Sequence, residues 1–157
     1  MEFGGCFLNK RLNRNNDGGT TRRTTDIFQL ATTVLFQNPV QNFALAPNNL
    51  KDVSPVCMDY MKTIPTTWDE TCFIDGYPGK YVVLARRHND TWYLAAVNAG
   101  KETLKLKLDL EMFAGKTVTL YKDDKKGEPQ LVPLKVKENG KGQLEILPQG
   151  GAVLVNK

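Results

Sequence analysis

Leu104, Leu106, Leu108 and Leu110 alternate with polar residues without a break. A period of two predicts an antiparallel strand with one face buried and one face wet. The same alternation, in shorter form, recurs at Val118 and Leu120, at Leu134 and Val136, and at Leu144 and Ile146. Three other stretches are continuously apolar instead: Tyr81-Val82-Val83-Leu84-Ala85, Trp92-Tyr93-Leu94-Ala95-Ala96-Val97, and Ala152 to Val155. Short apolar runs rich in β-branched and aromatic residues, bounded by turn residues, also read as strands. Trp68 to Ile74 completes the set. The turns between them are Tyr77-Pro78-Gly79-Lys80, His88-Asn89-Asp90, Asp123-Asp124-Lys125-Lys126-Gly127 and Asn139-Gly140-Lys141-Gly142. Residues 68–157 therefore predict seven or eight antiparallel strands with no helix, a sandwich large enough to fold alone.

The first 67 residues follow another period. Thr24 or Thr25 can cap a helix in which Ile27, Leu30, Ala31, Val34 and Leu35 paint one apolar face, and Asn38-Pro39 ends it. Gln41-Asn42-Phe43-Ala44-Leu45 reads as a short buried strand, followed by a turn at Pro47-Asn48-Asn49. Ser54-Pro55 starts a second helix that carries Cys57, Tyr60, Met61 and Ile64, and Pro65 stops it. Residues 1–19 read as loop, with turn chemistry throughout Asn13–Gly19. Two helices around one strand are the β–α period of a (β/α)8 barrel, but a whole barrel takes about 250 residues. The chain is thus α+β: a barrel fragment over 1–67 and an antiparallel sandwich over 68–157. Lacking neighbouring strands, Ile27, Leu30, Val34, Leu35, Phe43 and Leu45 are expected to form an apolar patch through which two chains pair front to front.

Composition changes this picture little. The chain has 157 residues, 41% hydrophobic and 24% charged, and a net charge of +4, as a folded globular chain does. The lysines that carry the excess alternate with leucines and form the wet side of strands, with no nucleic-acid motif among them. No apolar stretch approaches the roughly 20 residues of a membrane helix. Met1-Glu2-Phe3-Gly4-Gly5-Cys6 shows no export signal. Cys6, Cys57 and Cys72 make neither a disulfide framework nor a metal motif. Cys57, on an apolar helix face, packs as a small hydrophobe. The sole histidine, His88, sits in a turn, so no Cys–His dyad is expected.

The stretch PTTWDETCFIDGYPGKYVVLARR, from Pro65 to Arg87, brings Trp68 close to the carboxylates of Asp69, Glu70 and Asp75. A glycosidase needs two carboxyl groups about 5–5.5 Å or about 6.5–9.5 Å apart across the scissile bond. Asp69 and Glu70 are adjacent and point to opposite faces of a strand, while Asp69 and Asp75 lie about 20 Å apart along one. The stretch therefore reads as a seam: Trp68 ties the first sandwich strand to the helices, and the acids pair with nearby arginine or lysine. Trp68 and Trp92 are the candidate sugar contacts, and Trp92 and Tyr93 face opposite ways. Asn89-Asp90-Thr91 matches the glycosylation acceptor pattern, which three residues meet often by chance. Asp17-Gly18-Gly19 is too short for a phosphate loop, and Arg22-Arg23 at a helix start is expected to be solvated.

TTRRTTDIFQLATTVLFQNPVQNFALAP, a Ser-Pro helix, then PTTWDET, DGYPGKYVVLARR and WYLAAVNA in that order, together resemble the C-terminal end of glycoside hydrolase family 97. Met1-Glu2-Phe3 resembles the segment that opens the last barrel unit of that family. The resemblance implies an α-glucosidase or α-galactosidase of Bacteroidetes type, with an N-terminal sandwich, a catalytic barrel and a C-terminal β-domain linked to oligomerisation. It places the calcium ligands and the catalytic carboxylates upstream of this segment, so no catalytic, cofactor or metal residue is carried over. Expected partners are a second copy, or the missing catalytic part, and an α-linked oligosaccharide; a periplasmic location is implied for the whole parent. A stand-alone carbohydrate-binding sandwich is the alternative.

Overall fold

The computed structural model describes residues 4–6, 22–45, 47, 50 and 53–156. The expected opening motif Met1-Glu2-Phe3, the turn residues Asn13–Gly19 and most of the turn at Pro47-Asn48-Asn49 lie outside them. Eight strands and two helices follow in order: α1 (Asp26–Leu35), α2 (Pro55–Met61), β1 (Glu70–Tyr77), β2 (Tyr81–His88), β3 (Thr91–Asn98), β4 (Leu104–Asp109), β5 (Thr117–Asp123), β6 (Pro129–Lys135), β7 (Lys141–Ile146) and β8 (Gly151–Val155). Six strands form one sheet in the order β1-β2-β3-β8-β5-β6, and β4 pairs with β7. Every strand pair is antiparallel. One 3-10 turn at Glu111–Phe113 interrupts the otherwise helix-free second part. The first strand starts at Glu70 rather than Trp68, because Trp68 turns into the core beside the helices.

The β4–β7 pair covers one face of the large sheet. Leu106, Leu108, Leu144 and Ile146 meet Leu94, Ala96, Ala152, Leu154, Val118 and Leu120 there, with Phe113 completing the layer. The helices cover the other face. Ile27, Leu30, Ala31 and Val34 of α1, with Cys57 and Tyr60 of α2, meet Tyr93, Ala95 and Val97 of β3, Val153 and Val155 of β8, and Tyr121 of β5. β3 and β8 are thus buried on both sides, which is why Trp92–Val97 and Gly151–Val155 carry apolar residues or glycine at every position rather than at every second one.

This corrects the expected apolar patch. Ile27, Leu30 and Val34 are fully buried, and the surface that hides them is the chain's own sheet, not a second copy. The strand expected at residues 41–45 also differs. Among the described residues it contributes the parallel bridge from Cys6 to Ala44, and Phe43 and Leu45 pack against the helix-side core.

Local signals explain α1. Thr25 caps it by accepting from the Phe28 N–H at 3.1 Å. At its other end Phe36 adopts an extended ψ of 132° and stops the helix two residues before Asn38. Arg86, buried in β2, donates to the carbonyls of Phe36 and Leu35 at 3.2 and 3.4 Å. A cation there also opposes the negative end of the helix dipole. At its start α1 comes very close to β8: a Cβ on Gly151 would lie 2.7 Å from the Ile27 carbonyl oxygen and 2.8 Å from Phe28 Cα.

Candidate functional site

The seam between helices and sheet is built around Trp68. Its ring meets the Tyr93 ring edge-on, with centroids 5.4 Å apart and planes at 74°. The Arg86 guanidinium stands 5.8 Å from the Trp68 ring, so the side chain that caps α1 also borders the seam. Trp92 packs into the other core, between the two sheets, with the Arg87 guanidinium 5.9 Å from its ring. The two tryptophans therefore lie on opposite faces of the large sheet and share no platform. Strand alternation separates Trp92 from Tyr93 in the same way.

The carboxylates of the stretch are each engaged locally. Arg87 reaches Glu70 at 3.2 Å and Asp69 at 3.8 Å. Asp69 also accepts from the Asn89 N–H at 2.7 Å. Asp75 accepts from the Tyr81 hydroxyl at 3.2 Å and from the Gly76 N–H at 2.8 Å. His88 bonds the Thr67 carbonyl through Nδ1 at 2.9 Å. Asn89 is exposed at the tip of the β2–β3 turn with φ of 51°. Nothing in this arrangement aims two carboxyl groups across one bond.

Two of the three thiols are held above their ordinary range. Cys57 is completely buried, and burial, reinforced by the Asp26 charge, pushes its thiol far above the usual range. Cys72 is also raised, by burial and by Glu70. Cys6 and Cys72 are half-buried and unbonded to another cysteine.

The polar group that sequence reasoning missed is Asp123. In the sequence it opens a run of turn residues. In the structure it ends β5, is 5% exposed, and accepts from the Thr25 hydroxyl at 2.9 Å and the Gly151 N–H at 3.1 Å. Its other oxygen, Oδ1, is buried without a hydrogen-bond partner. Burial pushes the Asp123 carboxyl up to about 6, against the pull of those two bonds. Beside it, Arg22 is ion-paired with Asp26 and donates to the Thr25 carbonyl at 3.1 Å. Arg22 was expected to be solvated; its side chain is 6% exposed, because Asp26 in the first turn of α1 draws it in. This cluster locks the start of α1 to the sheet.

Sequence reasoning also missed the exposed rings. Among the described residues the most exposed large apolar side chains are Phe73, at 67%, and Tyr77, at 59%. Both lie on β1, at the edge of the large sheet.

Residues 67–156 match the family model described as glycosyl-hydrolase 97 C-terminal, oligomerisation. A crystal structure of a β-arabinopyranosidase is similar to 99% of this chain at 85% identity, with a TM-score of 0.95, over 25% of its own length. A glycoside hydrolase family 97 enzyme from Pseudoalteromonas sp. strain K8, in complex with acarbose, shares the fold at 24% identity and a TM-score of 0.77, over 96% of this chain and 25% of its own. The retaining α-galactosidase of Bacteroides thetaiotaomicron is 29% identical over 80% of this chain and 20% of its own length. The chain thus spans a fifth to a quarter of the length of these relatives.

Proposed function

The chain belongs to the glycosyl-hydrolase 97 family through its C-terminal, oligomerisation domain, and from that premise we propose that it is the closing end of a family-97 glycosidase. Residues 1–67 are the last unit of the catalytic (β/α)8 barrel. Residues 68–157 are the β-domain that caps the barrel and joins subunits.

One observation carries the barrel reading. Gly5–Cys6 and Ala44 pair in parallel, with Ala44 N–H donating to the Gly5 carbonyl at 3.0 Å, and α1 lies between them in sequence. Parallel segments joined through a helix form a βαβ unit, the repeat of a barrel. Helical geometry puts Gln29 about 200° round α1 from Ile27. Gln29 accepts from the Cys6 N–H at 2.9 Å, and the Gln41 amide donates to the Thr33 carbonyl at 2.8 Å. The helix is thus held between a β-layer and the sandwich, as an outer helix of a barrel is held when a second domain covers it.

The relatives named above act, by their descriptions, on β-arabinopyranosides and α-galactosides. In their common L and D series these sugars present the same ring hydroxyls and anomeric arrangement and differ in the hydroxymethyl group on C5. We assign the parent enzyme to pyranosides of that configuration. Its reacting carboxylates are contributed by the portion of the barrel that precedes this segment, and this chain's part is to complete and brace the wall that holds them. The family resemblance assigns calcium to residues upstream of this segment; among the described residues no three carboxylate, imidazole or thiol groups converge.

The test is hydrolysis of p-nitrophenyl β-L-arabinopyranoside and α-D-galactopyranoside. The whole parent enzyme turns over one or both. The 157-residue chain alone stays at the uncatalysed rate. Turnover by the isolated chain at an enzyme's usual pace would overturn the assignment.

A further inference from the structure

Among the described residues the six-stranded sheet has two free edges, β1 and β6. A free edge presents unpaired N–H and C=O groups, and proteins that must stay apart block it. β6 is blocked: its sequence, PQLVPLK, holds Pro129 and Pro133, which cannot donate, and Lys135. β1, ETCFIDGY, holds neither proline nor lysine.

β1 also carries the two most exposed aromatic rings, and its geometry sets them astride the edge. In a regular strand residues 73 and 77 would share a face. The register shifts between Phe73 and Asp75, so they do not. Phe73 pairs with Leu84, two residues from Val82, which packs on the helix side; Tyr77 pairs with Tyr81, which packs on the other side. Cross-strand partners share a face. Phe73 therefore flanks the edge on one side of the sheet and Tyr77 on the other. Between them, round the hairpin, opens a cavity of about 380 Å³ lined by Gly76, Pro78, Val82, Val97 and Ala99 as well as both rings. It has room for an aromatic side chain.

The charges along β1 are graded. Lys80 is exposed at the hairpin tip, and its ammonium lies 4.7 Å from the Tyr77 ring centroid. The other end carries Asp69, Glu70 and Asp90, all exposed, against one Arg87. Two such edges laid antiparallel put the Lys80 tip of each beside the acidic end of the other. Laid parallel they oppose like charges. The edge is complementary to itself under a two-fold axis, as an isologous dimer contact must be.

We infer that the free edge of β1 is the docking surface for a second copy of this chain, paired antiparallel about a two-fold axis with Phe73 and Tyr77 as its anchors. This rests on the self-association reading of the β-domain and names its surface.

The test is sedimentation equilibrium on the full chain and on Phe73→Lys, Lys80→Glu and the double variant Lys80→Glu/Glu70→Lys, with circular dichroism melts as the check on folding. The chain is expected to dimerise. Phe73→Lys, at an exposed site, should leave the melt unchanged and weaken the dimer about thirtyfold or more, as loss of an interface anchor does. Lys80→Glu should weaken it and the added Glu70→Lys should restore it. A monomeric wild-type chain overturns the self-association reading itself. A dimer that ignores Phe73→Lys leaves that reading standing and overturns the β1 edge. Failure of the double variant to recover overturns the antiparallel arrangement.

Discussion

Thr25 donates its hydroxyl hydrogen to Oδ2 of Asp123 at 2.9 Å, which joins the N-cap of α1 to the end of β5 across 98 residues of chain. The same carboxylate oxygen accepts from Gly151 at the start of β8. One buried side chain therefore fixes a helix and two strands together, on the face where the helices meet the sheet.

Asp123 makes stability depend on pH. Burial raises its carboxyl to about 6 in the folded protein, above the unfolded value near 4. The folded state then holds this proton more tightly than the unfolded chain does. Its contribution to stability grows as pH falls from about 6 towards 4 and is lost as pH rises through 6. The charges nearby are Asp26, paired with Arg22, and Asp124; the neutral Cys57 thiol packs in the same core. Asp123→Asn keeps an acceptor for Thr25 and Gly151 but never ionises. The variant should be the more stable protein at pH 8, by up to about 3 kcal/mol. That advantage should shrink towards zero near pH 4. Urea unfolding of both proteins across this range checks it. A constant difference at every pH would show that Asp123 does not titrate in the fold.

Leu30 makes the helices part of the sheet's stability. It is fully buried against β3 and β8, so Leu30→Ala should cost about 2–5 kcal/mol. The loss should appear in the melting of the β-sheet, because the core they share is one core. Removing residues 1–64 would bare Tyr93, Val153 and Val155 and leave a poorly soluble remainder. A truncated chain that stays monodisperse, with the β-sheet melting where it did before, would contradict the shared core.

Gly151 is where α1 and β8 touch backbone to backbone. A methyl group there meets the Ile27 carbonyl oxygen and Phe28 Cα at under 3 Å, and backbone cannot swing aside as a side-chain tip can. Gly151→Ala should destabilise by about 1–3 kcal/mol. Gly79, in the β1–β2 turn at φ of 75°, has nothing within 4 Å of an added Cβ. Gly79→Ala should cost only the backbone strain, about 1–2 kcal/mol, and leave α1 docked. Hydrogen exchange separates them: Gly151→Ala accelerates exchange in α1 and Gly79→Ala does not. Equal protection of α1 in both variants would mean that helix and strand can part slightly without loss.

The strands were legible because alternation and turn chemistry are local. Leu104 to Leu108, and the turns at Pro78-Gly79 and Asn139-Gly140, say what they are within a few residues. The covering of the sheet was not. That Ile27 and Leu30 lie on Val153 and Ala95 depends on contacts more than 60 residues apart, and no window along the chain contains both sides. A signal was present all the same. Tyr93 to Val97 and Ala152 to Val155 are apolar on both faces, which a sheet with one wet side does not need. The face left over after β4 and β7 are packed is the face that the helices require. Asp123 was illegible for a different reason. Its neighbours Asp124, half-buried, and Lys126, exposed, are turn residues, with the Lys126 N–H bonded to Asp124 at 2.7 Å, and composition does not mark where a strand's last buried residue gives way to its turn.

Trp68 separates the seam from a sugar platform. Its ring is committed to Tyr93 and to the neighbourhood of Arg86, on the helix side of the sheet, while Trp92 serves the opposite core. Aromatic side chains that bind pyranoses must offer a free face, and Trp68 has its ring packed on protein instead. Trp68→Ala removes a large half-buried ring, so it should destabilise by about 2–4 kcal/mol, a little less than for a fully buried tryptophan. Trp68→Phe keeps an edge-to-face partner for Tyr93 and should recover about half of that loss. Neither change is expected to alter binding of malto-oligosaccharides or galacto-oligosaccharides followed by calorimetry, since the ring is packed against Tyr93. Measurable sugar affinity in the wild type that vanishes in Trp68→Phe, with the fold intact, would turn the seam back into a binding site.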